Sequence, residues 1–129
     1  MRLLASVERW DRNTISCRAT SHHASGNPLR CAEQLPAIAG LEYAAQAMGV
    51  HVGLTNRDKE TNRSIGYVGA VRNVVLAVER LDNLPGDLHI EAWRLVDGQD
   101  SFMYQFTLSA GNREIMSGRA SIFVSRIAA

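Results

Sequence analysis

The sequence predicts an α+β protein in which a curved antiparallel sheet wraps one long buried helix. Three observations predict it. A single stretch, Leu35 to Val52, has helical character, and it is apolar on nearly every side. Two alternating, strand-like segments precede it. From Gly66 onward every segment is patterned as strand.

Leu3 to Trp10 reads as the first strand, and Asp11-Arg12-Asn13 as a turn. Thr14 to Thr20 alternates, with Ile15, Cys17 and Ala19 on one face, so the first two strands form a hairpin. Ser21 to Gln34 is an irregular connection carrying His22, His23, Gly26, Asn27 and Pro28. Pro36 suits the first turn of the helix, where its missing N–H costs nothing. Ala37, Ile38, Leu41, Ala44, Ala45, Met48 and Val52 cover most of the helix circumference, the mark of a buried helix. Thr55 to Ser64 is polar and aperiodic, expected as a mobile loop. Gly66 to Leu81 is a long strand with Val74, Leu76 and Val78 on one face; Gly66 and Gly69 mark a bulge or a close approach. Asn83 to Asp87 is a turn, Leu88 to Val96 a strand, and Asp97-Gly98 its end. Phe102, Tyr104, Phe106 and Leu108 alternate with Met103, Gln105, Thr107 and Ser109, Ala110-Gly111-Asn112 turns the chain, and Met116 to Val124 alternates in the last strand.

Length and composition bound the function. A chain of 129 residues fits one domain, 1–129, and buries enough surface for a real core. A net charge of +1 with no basic run gives no electrostatic case for nucleic acid or an anionic membrane. Cys17 and Cys31 form neither a metal pattern nor a disulfide scaffold and read as reduced thiols. No secretory signal develops after Met1, and the helix, which holds Glu42, Gln46 and His51, is no membrane span, so the expected location is the cytoplasm.

Inside the apolar helix, Glu42 and Gln46 stand one turn apart on one face, with Ala39, Gly49 and Gly53 leaving open space beside them. A buried carboxylate costs free energy unless it is paired or used. The plain structural alternative is a Glu hydrogen-bonded to Gln46 and a neighbouring strand. One sheet cannot cover such a helix completely, so a second copy is expected to close the remaining side. One helix wrapped by one antiparallel sheet, paired in this way, is the hotdog arrangement.

Leu35 to Gln46 resembles the central-helix motif of the β-hydroxyacyl-acyl-carrier-protein dehydratases, with Pro36-Ala37 in the place of a Pro-Gly, Glu42 in that of the acid and Gln46 in that of the closing Gln. Pro85-Gly86-Asp87-Leu88 is similar to that family's turn, with Arg72 upstream. His22, Asn27-Pro28-Leu29-Arg30 and Leu35-Pro36-Ala37 resemble the short branch associated with aryl-polyene and polyketide-type gene clusters. Two departures stand out: Ala37 replaces the family's Gly, and His22 lies 20 residues before Glu42, further than is usual there.

The resemblance implies dehydration of a 3-hydroxyacyl thioester, carried on acyl carrier protein or coenzyme A, to the trans-2-enoyl thioester, with no cofactor and no metal. A His takes the C2 proton and a carboxyl protonates the leaving C3 oxygen. His22 is expected as the base, with His23 the alternative, and Glu42 as the acid, which burial biases towards its protonated form. The helix-start N–H groups of Ala37 and Ile38 would receive the thioester oxygen, and Gln46 would orient the carboxyl. His51 is expected to cap carbonyls at the helix end and His89 to lie on the surface. A hotdog thioesterase, in which the helix carboxylate activates water, and a non-catalytic acyl-binding subunit are the competing readings. The expected assembly is a homodimer, with larger assemblies of dimers open.

Overall fold

The computed structural model describes residues 2–55 and 62–128, with side chains for all of these except 62–67 and 125–128. Its elements, in chain order, are β1 (Ser6–Trp10), β2 (Thr14–Ala19), a short 3-10 turn (Ser21–His23), a second (Ala37–Ala39), α1 (Gly40–Thr55), β3 (Asn62–Leu76), β4 (Leu88–Asp97), β5 (Ser101–Ala110) and β6 (Arg113–Ala128). The strands form one six-stranded sheet in the order β1-β2-β4-β5-β6-β3, every neighbouring pair antiparallel. This is the expected helix-in-sheet architecture. Of the loop predicted over 55–64, residues 56–61 lie outside the described residues; Thr55 closes α1 and 62–64 already belong to β3, which begins at Asn62 rather than Gly66.

Period-two patterning sets the inner face. Ile15, Cys17 and Ala19 of β2, Leu88, Ile90 and Ala92 of β4, and Phe102, Tyr104, Phe106 and Leu108 of β5 are all buried against the helix. α1 answers with Tyr43, Ala44, Ala47, Met48, His51 and Val52, all buried and spaced to fall along one side. Gly40 opens α1 where helix and sheet meet most tightly. A Cβ there would lie 3.0 Å from the Met116 sulfur and 3.1 Å from a Leu108 methyl.

Several boundaries move for non-local reasons. β1 begins at Ser6 rather than Leu3 because the Leu3 and Leu4 N–H groups donate to Oε1 of Gln46, at 2.8 and 3.4 Å, which draws both leucines into the core. The α-helix begins at Gly40 rather than Leu35. Leu35 is held like a strand residue, its N–H on Asp82 Oδ1 and its carbonyl on the Leu81 N–H, and Pro36 is extended at ψ 151°. β3 stops at Leu76 rather than Leu81, after a register shift between Arg72 and Val75 in which Asn73 takes φ 56°, a conformation Asn tolerates. Leu76 consequently faces outward, while Val74 and Val78 are half-buried. Gly69 sits at the other β3 register shift, where a Cβ would fall 2.2 Å from the Phe123 ring, so bulge and close approach coincide there.

One sheet does leave part of the helix uncovered. Ile38, Glu42, Gly49, Val50 and Gly53 are exposed, and Leu41 and Ala45 half-exposed. Beside them runs β3, an edge strand whose Val68, Val71, Val75 and Leu76 are all exposed apolar side chains. An open strand edge next to a bare apolar helix stripe is a surface that soluble proteins ordinarily cover.

Candidate active site

The irregular connection after β2 opens with the 3-10 turn Ser21–His23. In an extended segment His22 and His23 would point apart. In the turn their rings stack, centroids 3.8 Å apart. Their environments still differ sharply. His23 is exposed, with Nε2 2.6 Å from the Leu84 carbonyl. His22 is fully buried, and neither ring nitrogen has a hydrogen-bond partner among the described residues. Burial lowers its proton affinity below the ordinary value, and the neighbouring His23 lowers it further. The backbone of Gly86 and Leu84, close by without a well-formed hydrogen bond to the ring, pulls the other way. That backbone belongs to the Pro85-Gly86-Asp87 turn, where Gly86 takes φ 75° and Asp87 is anchored by Arg18 Nη1 at 2.9 Å. The turn thus walls the imidazole.

Glu42 is exposed in the single chain rather than buried. Glu42 borders a cavity of about 370 Å³ between α1 and the sheet, lined otherwise by apolar residues including Leu41, Met48, Val68, Val71 and Phe106. His22 is not among the residues lining this cavity. Gln46, half-buried, spends its Oε1 on the backbone of residues 3 and 4.

The helix start differs from expectation in one respect. The Ala37 N–H is not free for a ligand: it donates to the Glu79 carbonyl at 3.0 Å, because the segment after β3 runs alongside. Ala39 N–H is likewise used, on Pro36 O at 3.0 Å. Ile38, 52% exposed, is left as the helix-start residue whose N–H has no such bond among the described residues.

At the far end of α1, His51 does not cap the helix. It is buried, with Nδ1 2.7 Å from the Tyr104 hydroxyl and Nε2 2.7 Å from the Asp11 carbonyl. The Nε2 must carry the proton, since a carbonyl can only accept, so Tyr104 O–H donates to Nδ1. Arg94, its side chain 3% exposed, donates to Tyr104 from Nη2 at 2.8 Å and to Thr55 Oγ1 at 2.8 Å, and its guanidinium lies 4.6 Å from the centre of the Phe102 ring. Sequence reasoning passed over this cluster, although the signal was present: Arg94 and Tyr104 occupy inner positions of alternating strands, and His51 follows the 44, 47, 48 spacing of the buried helix stripe. His89 is exposed, as expected.

Architecture and geometry together define a hotdog-fold protein, and solved structures agree. A dehydratase heterocomplex from Xenorhabdus doucetiae, ApeI:P, superposes with a TM-score of 0.81 at 21% identity over 95% of this chain and 82% of that one. A mutant thioesterase from Pseudomonas aeruginosa follows at 0.68, 16% identity and 94% and 81% coverage. A hypothetical thioesterase from Streptococcus pneumoniae, solved with coenzyme A, gives 0.67, 12% identity and 96% and 88% coverage. At such identities these structures speak for the fold. No curated protein matches the sequence. The family is shown by the sequence itself: residues 1–129 match the ApeP-like family, described as ApeP dehydratase, and the chain belongs to it. Among the described residues no helix is long and apolar enough to cross a membrane.

Proposed function

We propose that this chain is one subunit of a 3-hydroxyacyl-thioester dehydratase, with His22 as base and Glu42 as acid, its site completed across an interface with a second hotdog chain. The observation that carries the reading is His22: a fully buried imidazole whose nitrogens have no hydrogen-bond partner among the described residues, in a member of a dehydratase family. A buried polar group left without a partner costs roughly 1–3 kcal/mol, a cost that a structural histidine avoids and a working one bears.

The chemistry balances with these two groups. Neutral His22 accepts the proton from C2 as the C2–H bond breaks and the C2=C3 bond forms. Glu42 protonates the C3 oxygen as the C3–O bond breaks, and water leaves. Return of the proton from imidazolium to carboxylate through solvent resets both groups. Ile38 N–H at the helix start is the donor placed to receive the thioester oxygen. The exposed Glu42 gains a dry surrounding once a partner covers the bare helix stripe and the β3 edge. That partner is a copy of this chain or a related hotdog subunit; the Xenorhabdus structure is a heterocomplex. Light scattering separates the two: a stable dimer of the purified chain supports the first, a monomer the second.

The thioester is delivered on acyl carrier protein or coenzyme A, in fatty-acid or polyketide-type synthesis. Hydration of a crotonyl thioester by the assembled protein, followed by loss of absorbance at the enoyl band, tests the activity. Release of free thiol without hydration would replace it with the thioesterase reading, which the thioesterase neighbours make the natural competitor.

A further inference from the structure

We propose that Tyr43, Asn27 and Ser21 are positioning residues that fix the His22 turn to the helix turn carrying Glu42, an inference that rests on His22 being the base. Each hydrogen bond in this cluster has one possible direction. Ser21 Oγ donates to the Leu3 carbonyl at 2.8 Å, so towards Tyr43, also 2.8 Å away, it accepts. Tyr43 O–H therefore donates to Ser21, and its oxygen accepts from Asn27 Nδ2 at 3.1 Å. The second Nδ2 hydrogen goes to the Ser21 carbonyl at 3.0 Å, and Oδ1 accepts from Leu29 N–H at 2.9 Å. Tyr43 and Asn27 are 0% and 3% exposed, so these bonds form away from water, where they hold geometry best.

The same cluster absorbs the Asn27-Pro28-Leu29-Arg30 stretch. Asn27 closes the turn from inside. Arg30 clamps it from outside, with Nε on the Ala24 carbonyl at 2.8 Å and Nη1 on the Glu33 carbonyl at 2.7 Å. The His22 imidazole itself makes no hydrogen bond among the described residues. Its position is therefore set by its backbone, and the backbone on both sides of it is set by Tyr43 and Arg30. Tyr43 is the residue after Glu42, so one helical turn carries the acid and the post to which the base is tied. A displacement of the base by about an ångström can cost as much as 10²-fold in rate, which is why such a mount would matter.

The mount differs from plain core packing in what it moves. Tyr43→Phe keeps the ring and its packing and deletes only the hydroxyl; Ser21→Ala deletes the other end of the same bond. The charged or titratable groups around His22 are His23, Asp87 with its partner Arg18, and Arg30 at the backbone, and neither variant touches them. In the assembled protein each variant should lower kcat about 10-fold with KM within twofold, and the double variant should be no slower than the slower single one. By NMR, the His22 titration midpoint should rise towards the ordinary imidazole value as the ring gains water. Folded variants with unchanged kcat and an unchanged His22 titration overturn the proposal; a lowered melting temperature alone, with both readouts unmoved, does the same. His22→Ala, measured alongside, separates the two claims. If it keeps full turnover, the assignment of the base falls, whereas a shifted His22 titration in Tyr43→Phe still upholds the mount.

Discussion

Two histidines of this chain are fully buried, and they are treated in opposite ways. His51, near the end of α1, has both ring nitrogens bonded within a closed set of Asp11 carbonyl, Tyr104 hydroxyl, Arg94 and Thr55. His22, before the start of the helix, has neither nitrogen bonded among the described residues. Burial depresses the proton affinity of both. At His51 the surrounding bonds satisfy the neutral ring, and the helix end is locked to the sheet. At His22 the supporting bonds go to the backbone and leave the imidazole with its lone pair unspent. The difference teaches where to look for chemistry in a small fold: at the buried polar group whose neighbours are satisfied and which is itself not.

The largest expected effect comes from breaking the unsatisfied end. His22→Ala and Glu42→Gln should each lower the hydration rate of a crotonyl thioester by roughly 10²- to 10⁴-fold, the scale for losing an acid–base group. Stability should hold in Glu42→Gln, because Glu42 is exposed in the single chain, and fall in His22→Ala, because removing a fully buried ring leaves a cavity although no hydrogen bond among the described residues is lost. Thermal melting and a progress curve on the same preparation check both halves. Full activity in Glu42→Gln removes the acid assignment.

The satisfied end should respond in the reverse sense. Tyr104→Phe keeps the ring in the core but takes away the oxygen that joins His51 to Arg94. His51 Nδ1, Arg94 Nε and Arg94 Nη2 then each lose a partner, Nη2 keeping Thr55, at a cost of about 1–3 kcal/mol for each group left unsatisfied. The melting temperature should drop by several degrees while turnover per folded molecule stays within a few-fold of the parent. Loss of turnover at unchanged stability would mean that this cluster, and not the His22 turn, carries function.

How much of this contrast was legible in the sequence follows from which interactions are local. Strand alternation depends only on neighbours, so the shared face of Phe102, Tyr104, Phe106 and Leu108 was legible, and it is the buried one. The helix was placed correctly, but its start was not: the Ala37 N–H looks free by local rules and is taken by Glu79, a residue 42 positions away. The end of the helix fell short for the same kind of reason, since α1 runs on to Thr55, whose hydroxyl joins the His51 carbonyl to Arg94. Glu42 was expected in a dry setting on the strength of an apolar helix. One chain exposes it, because helix periodicity shows which side is apolar and not whether a sheet of the same chain covers that side. His22 and Glu42 could be named as residue types suited to the chemistry. The supports behind them, Tyr43 to Asn27 and Arg94 to Tyr104, are long-range pairings that no spacing reveals.

The smallest effect, and the one that sharpens the comparison most, is in the pH dependence of stability. Both histidines sit below their ordinary 6.5, burial being the first cause in each. The fold therefore prefers them neutral, and below about pH 6.5 the unfolded chain binds protons that the folded one refuses. Their contribution is complete above that value and is lost as pH falls through it towards the folded-state values. Asp11 and Asp82 are also lowered, Asp11 chiefly by the Asn13 N–H and Asp82 by Arg80, but their contribution fades only below the ordinary 3.8. Among the described residues whose proton affinity is clearly shifted, only the two histidines act between about pH 6.5 and 4. On the alkaline side burial pushes Cys17 from 9.0 up to about 11 and raises Tyr104, so stability declines again once pH passes about 9. Melting temperature should be flat between those limbs. His22→Leu removes one of two buried groups that resist protonation and gives up no hydrogen bond among the described residues, so it should flatten the acid limb and hold or raise the plateau. His51→Leu should also flatten the acid limb but lower the plateau, because the Tyr104 hydroxyl and the Asp11 carbonyl each lose a partner. If both variants shift the plateau alike, the two imidazoles are held alike, and the contrast between them is gone.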